Sequence, residues 1–424
     1  MSYRSQFFDK LLSQIRVKEA REQVRLEMSH HIEKSKQALL QKGLTELEAE
    51  NKAIRQLGDP IILGTEMNKL HKPIFDWKLL SLFGIAIMIS FLPFYMMEAV
   101  YLPLFKQLIA IFIGIGIIFA GMHLDYRKLQ RYGLIFYGLG IGLLFFVYSS
   151  GIFTYQVAGN TYMRTPIFAG VDSSITLPIL LLAFASITSK KYPMWKLTAL
   201  CVLPIMLFCS ASSYVNAMIY TVMSFCMIAW SVRGHKKSML QIAGVFTASI
   251  IALLFAVAHS ARGQRLVGFF INKSNFEAFN YIPTQISKLL NDAPLFGMPR
   301  IENYSVLPDI QTNFVLVLLT HQLGWISFAI ILFILYGLLG RMLWMKSKVK
   351  DAFGEQLIIG GCMLYGVPLT YNVLMILGLL PISGVWLPLI SYGTMVNWIY
   401  AFIIGLVLSV FRRKSYLMKS IKSE

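Results

Sequence analysis

The sequence predicts an all-α fold: a polytopic membrane protein of about ten transmembrane helices, preceded by a small cytoplasmic helical bundle. Three observations carry this. Of 424 residues, 56% are hydrophobic and only 14% charged, a balance foreign to soluble domains. Apolar runs of about 20 residues, the length that crosses a bilayer core as a helix, recur after residue 77. Residues 1–73 have no such run and mix 13 basic with 10 acidic side chains. Three regions follow: a prefix domain at 1–73, a transmembrane domain at 77–413 and a basic tail at 414–424.

The prefix domain reads as helices. Phe7, Phe8, Leu11, Leu12 and Ile15 form one apolar stripe, and Val24, Met28, Ile32, Ser35 and Leu39 continue at spacings of three and four. Gly43 is placed to stop that second helix. Thr45 and Glu48 have capping-box spacing for a third, which runs through Ala49, Ala53 and Leu57 to Gly58. Asp59-Pro60 suits an N-cap and first turn of a fourth. The stretch GLTELEAENKAIRQLGDP resembles the permease-prefix (HAAS-type) domain found ahead of some bacterial membrane proteins; the capping box and balanced charges suggest a self-folding bundle with a cytoplasmic regulator as its partner, weighed against a plain cytoplasmic cap on the first span.

Ten apolar runs follow, near 78–97, 104–122, 132–152, 170–188, 195–211, 213–232, 237–258, 312–340, 356–380 and 386–411. The first begins too late for a cleavable signal peptide. The net charge of +18 is not the mark of a nucleic-acid binder. Its excess lies in alternate short loops, at Arg127–Arg131, Lys190–Lys196, Arg233–Lys237 and Arg341–Lys350, and in Arg412-Arg413-Lys414, where Lys and Arg set orientation. Every even-numbered span ends at such a loop, so both termini are expected in the cytoplasm. The segment 259–311 is then a large outer loop, too long for a simple connector. Cys201, Cys209, Cys226 and Cys362 lie in or beside apolar runs without CxxC spacing and read as free core residues. The 11 acidic residues beyond residue 73 fall in loops or at span ends, which disfavours an ion-coupled transporter.

The stretch NVLMILGLLPISGVWLPLISYG, Asn372 to Gly393, resembles the SEDS family, the FtsW/RodA/SpoVE-type cell-wall proteins. Asn372, Gly378, Pro381, Gly384, Pro388, Ser391, Tyr392 and Gly393 fit its pattern in register, while Thr394 and Met395 replace the usual Gly and Ser. The outer loop adds Arg265…Phe269, Tyr281…Gln285, Leu295-Phe296-Gly297, Leu307-Pro308-Asp309, Thr312-Asn313-Phe314 and Leu323-Gly324. The resemblance implies polymerisation of a lipid-linked disaccharide-pentapeptide (lipid II, undecaprenyl-linked) at the outer face of the bacterial cell membrane, beside a class B penicillin-binding protein. It implies no particular cofactor, though a divalent cation would suit the leaving pyrophosphate.

The family's candidate catalytic Asp aligns with Asn313, whose amide cannot act as a base. A neighbouring acidic position falls on His321. Ser173-Ser174 stands where Pro-Ser-Glu is expected, and Ser210–Ser213 where Pro-Asp-Leu-Gly is. Asp309 is weighed as a displaced base against a loop carboxylate or helix cap, and His321 as a base against an interior histidine. Arg262 and Arg265 are weighed as pyrophosphate ligands against loop anchors. Gln285, Thr312, Asn372, Ser391 and Tyr392 are the remaining positions expected at the substrate. Three functions fit: a wall-synthesis protein of weak or regulatory activity, an active glycosyltransferase with a relocated base, and a translocator of lipid-linked precursors.

Overall fold

A computed structural model of the chain describes residues 3–16, 18–70, 75–96, 104–149, 154–157, 160–163, 171–190, 192–258, 277–297 and 307–414. The chain divides into two compact units, one of residues 1–75 with 411–424, the other of residues 76–410.

The first unit contains α1 (Tyr3–Ser13), α2 (Lys18–Leu40), α3 (Glu46–Gln56) and α4 (Pro60–Leu70). Its core gathers the stripes read from the sequence, with Leu11, Ile15, Val24, Ile32 and Ala49 fully buried. Gly43 follows α2 at φ +87. The Thr45 N–H donates to Glu48 at 3.3 Å, and Asp59 Oδ1 accepts from the Ile61 N–H at 2.7 Å. Each contact serves an N–H that lacks a partner at a helix start.

The second unit is helical and apolar: α5 (Trp77–Ile89), α6 (Leu92–Met96), α7 (Leu104–His123), α8 (Gly133–Ser149), α9 (Thr176–Thr188), α10 (Met194–Ser210), α11 (Tyr214–Ser231), α12 (Lys236–Ala258), α13 (Glu277–Asn291), α14 (Val315–Leu323), α15 (Trp325–Lys346), α16 (Ala352–Ile376) and α17 (Thr394–Arg412). Among the described residues, eight segments are long and apolar enough to cross a membrane, and Ser173–Thr188 and Met194–Ser210 are shorter apolar helices. The ten runs fall on these ten segments. Helix α16 is central and packs against α9, α11 and α15. A small antiparallel sheet of β1 (Thr154–Val157), β2 (Asn160–Met163) and β3 (Val171–Asp172) adds to the helical expectation. Its Thr, Tyr and Val residues favour strands.

Two apolar runs differ from simple spans. The run at 312–340 breaks at Gly324, with φ +88 and ψ 171, a backbone region reserved for glycine. A Cβ there would collide with the Leu295 carbonyl oxygen. The 294–295 backbone comes that close because the Pro294 carbonyl takes the Trp325 N–H at 3.0 Å and the Leu295 carbonyl the Ile326 N–H at 3.4 Å. The run at 386–411 becomes helical only at Thr394. Residues 377–393 ahead of it hold Pro381 and Pro388, with Gly378 at φ +72 and Leu389 at φ +68.

At the ends with the basic loops, Arg341 grips Asp76 with two nitrogens: Nη2 to Oδ2 at 2.6 Å, and Nε to Oδ1 at 3.2 Å. Asp76 is buried and also caps α5 by accepting the Leu79 N–H at 2.8 Å. The Trp230 indole N–H donates to Glu355 at 2.8 Å, and Arg233 lies over the same ring at 4.0 Å.

Candidate functional site

The opposite helix ends hold two adjoining features. The first is a clasp on the irregular backbone before α14. Three successive carbonyls, of Gln311, Thr312 and Asn313, each receive a donor from the 372–392 region. The Tyr392 N–H reaches Gln311 at 3.0 Å, the Ser391 hydroxyl reaches Thr312 at 2.6 Å and the Asn372 amide reaches Asn313 at 2.9 Å. The Asn372 amide also donates to the Val385 carbonyl at 2.6 Å, and Ser391 Oγ accepts the Leu387 N–H at 2.8 Å. Non-helical backbone at membrane depth needs such partners, because no bulk water is there to supply them. The polar letters of the LPLISYG stretch therefore act on backbone. Gly393 completes the packing: a Cβ there would lie 2.5 Å from the Trp386 ring.

The second feature is a cleft between α9, α11, α16 and α17, lined also by Gly384, Val385 and Trp386. Its polar end carries Asp172, Ser174, Ser213 and Asn216, and its depth is lined by residues such as Leu364, Pro368 and Ile399. Val385 joins the two features: its carbonyl is held by Asn372, and it lines the cleft. The arrangement suits an amphiphile with a polar head and an apolar continuation.

The sequence-predicted residues separate into groups. Thr312, Asn313, Asn372, Ser391 and Tyr392 come together in the clasp. The ring of Tyr392 also packs edge-on against Phe94 at 5.8 Å. Asp309 is exposed at φ +57, a conformation Asp tolerates better than most residues. Its carbonyl closes the turn by accepting the Thr312 and Phe314 N–H groups at 3.0 and 3.3 Å, and its carboxylate takes the Asn313 amide at 3.5 Å. Phe314, not Asp309, is the N-cap of α14. Asn313 Oδ1 is buried without a hydrogen-bond partner among the described residues. His321 sits in α14, 7% exposed, and its Nδ1 likewise has no partner among the described residues. Gln285 is half-buried on α13 and is not among the residues that line the cleft. Arg262, Arg265, Phe269 and the rest of 259–276 lie outside the described residues, as do 298–306.

Sequence reasoning passed over Asp172. The signal was present, since Asp172 is the one carboxylate between Asp125 and Glu277 and directly precedes an apolar helix. Among the described residues no group of three or more His, Cys, Asp or Glu gathers in metal-binding geometry.

Fold and site together define a multi-pass helical membrane protein with a polar-mouthed cleft at one end of its bundle. The chain belongs to the FtsW/RodA/SpoVE family: the family described as "Cell cycle protein" matches residues 71–416. It is 26% identical over 193 residues to the peptidoglycan glycosyltransferase MrdB of Escherichia coli strain K12, covering 44% of this chain and 52% of MrdB. The chain thus spans about half the length of that relative. It is 24% identical over 315 residues to a probable peptidoglycan glycosyltransferase FtsW of Trichlorobacter lovleyi, covering 72% of this chain and 82% of that one. In fold it resembles a chain from a study of polymerization and crosslinking by a peptidoglycan synthase complex, with a TM-score of 0.67 at 18% identity over 80% of this chain and 98% of the other. The rod shape determining protein RodA of Thermus thermophilus gives 0.53 at 16% identity, over 81% and 98%.

Proposed function

We propose that this protein works in peptidoglycan synthesis, holding lipid II in the cleft at the outer face of the bacterial cytoplasmic membrane. The observation that carries the reading is the cleft itself, with a carboxylate and amide at its mouth and an apolar interior. A sugar head offers hydroxyls to the first, and a polyprenyl chain follows the second. The relatives named as peptidoglycan glycosyltransferases support the same chemistry.

The clasp preserves the backbone around position 313, but Asn313 takes no proton. Loss of a general base typically slows a reaction by about 10²–10⁴, so polymerisation is weak and the protein's role leans towards regulation. A class B penicillin-binding protein is the proposed partner, in line with the synthase complex whose chain shares the fold. Alternation of the basic loops supports cytoplasmic termini. There the prefix domain would meet a cytoplasmic regulator.

Binding of fluorescent lipid II to the purified full-length protein tests the reading. Val396 lines the cleft, and Val396→Trp fills it. The variant should lose at least about tenfold in affinity, 1.4 kcal/mol. Glu46→Ala, an exposed change in the prefix domain, should lose none. Equal affinity in all three proteins, or wild-type binding no tighter than that of undecaprenyl phosphate, would count against the cleft as the site.

A further inference from the structure

We infer that Asp172 is a catalytic carboxylate of the cleft, the group that accepts the proton of the attacking sugar hydroxyl; the inference rests on reading the cleft as the lipid II site. Asp172 is the one carboxylate among the residues that line it. Among the described residues, the other titratable groups there are Tyr214 and Tyr400, and no Lys, Arg or His lines the space.

Its orientation is fixed. Oδ1 accepts the Ser174 N–H at 3.2 Å and also the Ser174 hydroxyl. Among the described residues, Oδ2 accepts the long 3.5 Å contact from the Asn216 amide and no shorter one, which leaves accepting capacity for a ligand. Asn216 is itself held, donating to Ser173 Oγ at 2.8 Å, and the Thr176 hydroxyl holds the Ser173 carbonyl at 2.7 Å. Ser173 and Thr176 are both fully buried. The carboxylate thus stands at the end of β3, capping the turn that leads into α9, with Asn216 of α11 as a positioning residue, as a group with an acid–base task requires.

The step balances without a further reactant. The acceptor hydroxyl oxygen bonds to the anomeric carbon of the donor lipid II, and its proton passes to Asp172 Oδ2. The bond from that carbon to the pyrophosphate oxygen breaks, and undecaprenyl pyrophosphate leaves with the electron pair. The slow turnover of a chain with Asn313 runs by this route.

The test is polymerisation and binding of fluorescent lipid II by purified full-length protein. Asp172→Asn should lower kcat at least about 100-fold, far more than it weakens affinity. The wild-type rate should rise with pH through one inflection, because the protonated acid cannot accept the hydroxyl proton. Asp172→Glu should retain an inflection at a different pH. Wild-type kcat in Asp172→Asn, or a wild-type protein that binds lipid II without turning it over, overturns the inference and leaves the binding role standing. Absence of binding overturns both. If Asp172→Asn does not fold, Asp172→Glu decides, since an inflection unmoved by the longer acid would assign it to another group.

Discussion

The Ser391 hydroxyl donates to the Thr312 carbonyl at 2.6 Å, joining two segments 79 residues apart. This bond, with those from Tyr392 and Asn372, keeps the backbone before α14 satisfied where it enters the apolar bundle. The same residues that make the sequence motif recognisable thus secure the wall of the site. Replacing Ser391 with Ala leaves the Thr312 carbonyl and the Leu387 N–H short of a partner, at a cost of about 1–3 kcal/mol. Thermal unfolding in detergent should show a lower Tm for Ser391→Ala than for wild type. An unchanged Tm would mean that the clasp does not secure this wall.

Gly324→Ala should be more damaging than its single methyl suggests. The backbone conformation there is glycine's, and the new Cβ meets the Leu295 carbonyl oxygen. A loss of about 1–3 kcal/mol is expected, read as reduced yield and Tm. Gly116→Ala, in α7 with open space about its Cβ, is the control and should behave as wild type.

Asp76→Ala should destabilise the protein by about 3–5 kcal/mol, because it strands the Arg341 guanidinium and removes the cap of α5. Asp76→Asn keeps a capping oxygen and loses the ion pair, so its Tm should fall between those of wild type and Asp76→Ala. Equal Tm values for the two variants would assign the whole effect to the ion pair.

The spans and the prefix helices were legible because each rests on local chemistry. Apolar length places a span, and Thr45 with Glu48 or Asp59 with Pro60 marks a helix start. The break at Gly324 was written as Leu-Gly, but its cause lies in the 294–295 backbone, which no local pattern reveals. Ser391 and Tyr392 were legible as motif positions, whereas their engagement with Thr312 and Gln311 depends on tertiary contact. Asp172 was missed for a related reason. A lone carboxylate before an apolar helix looks like an ordinary cap, and only the packing of α9, α11, α16 and α17 turns it towards a cleft.

The basic loops predict the sidedness proposed for the chain. In a background without the four native cysteines, Ser347→Cys and Ser287→Cys, both exposed, should react with impermeant maleimide from opposite sides of the membrane. Labelling from one side would contradict the placement of the cleft at the outer face.

The most direct measurement is lipid II polymerisation by purified wild type and Asn313→Asp, side by side. The substitution changes little in volume, and the clasp holds position 313 through its backbone carbonyl, which the change leaves intact. The account predicts slow wild-type synthesis and an increase of about 10²–10⁴ in the variant, the size of a restored general base. Equal rates in the two proteins, or no polymer from either, would contradict it.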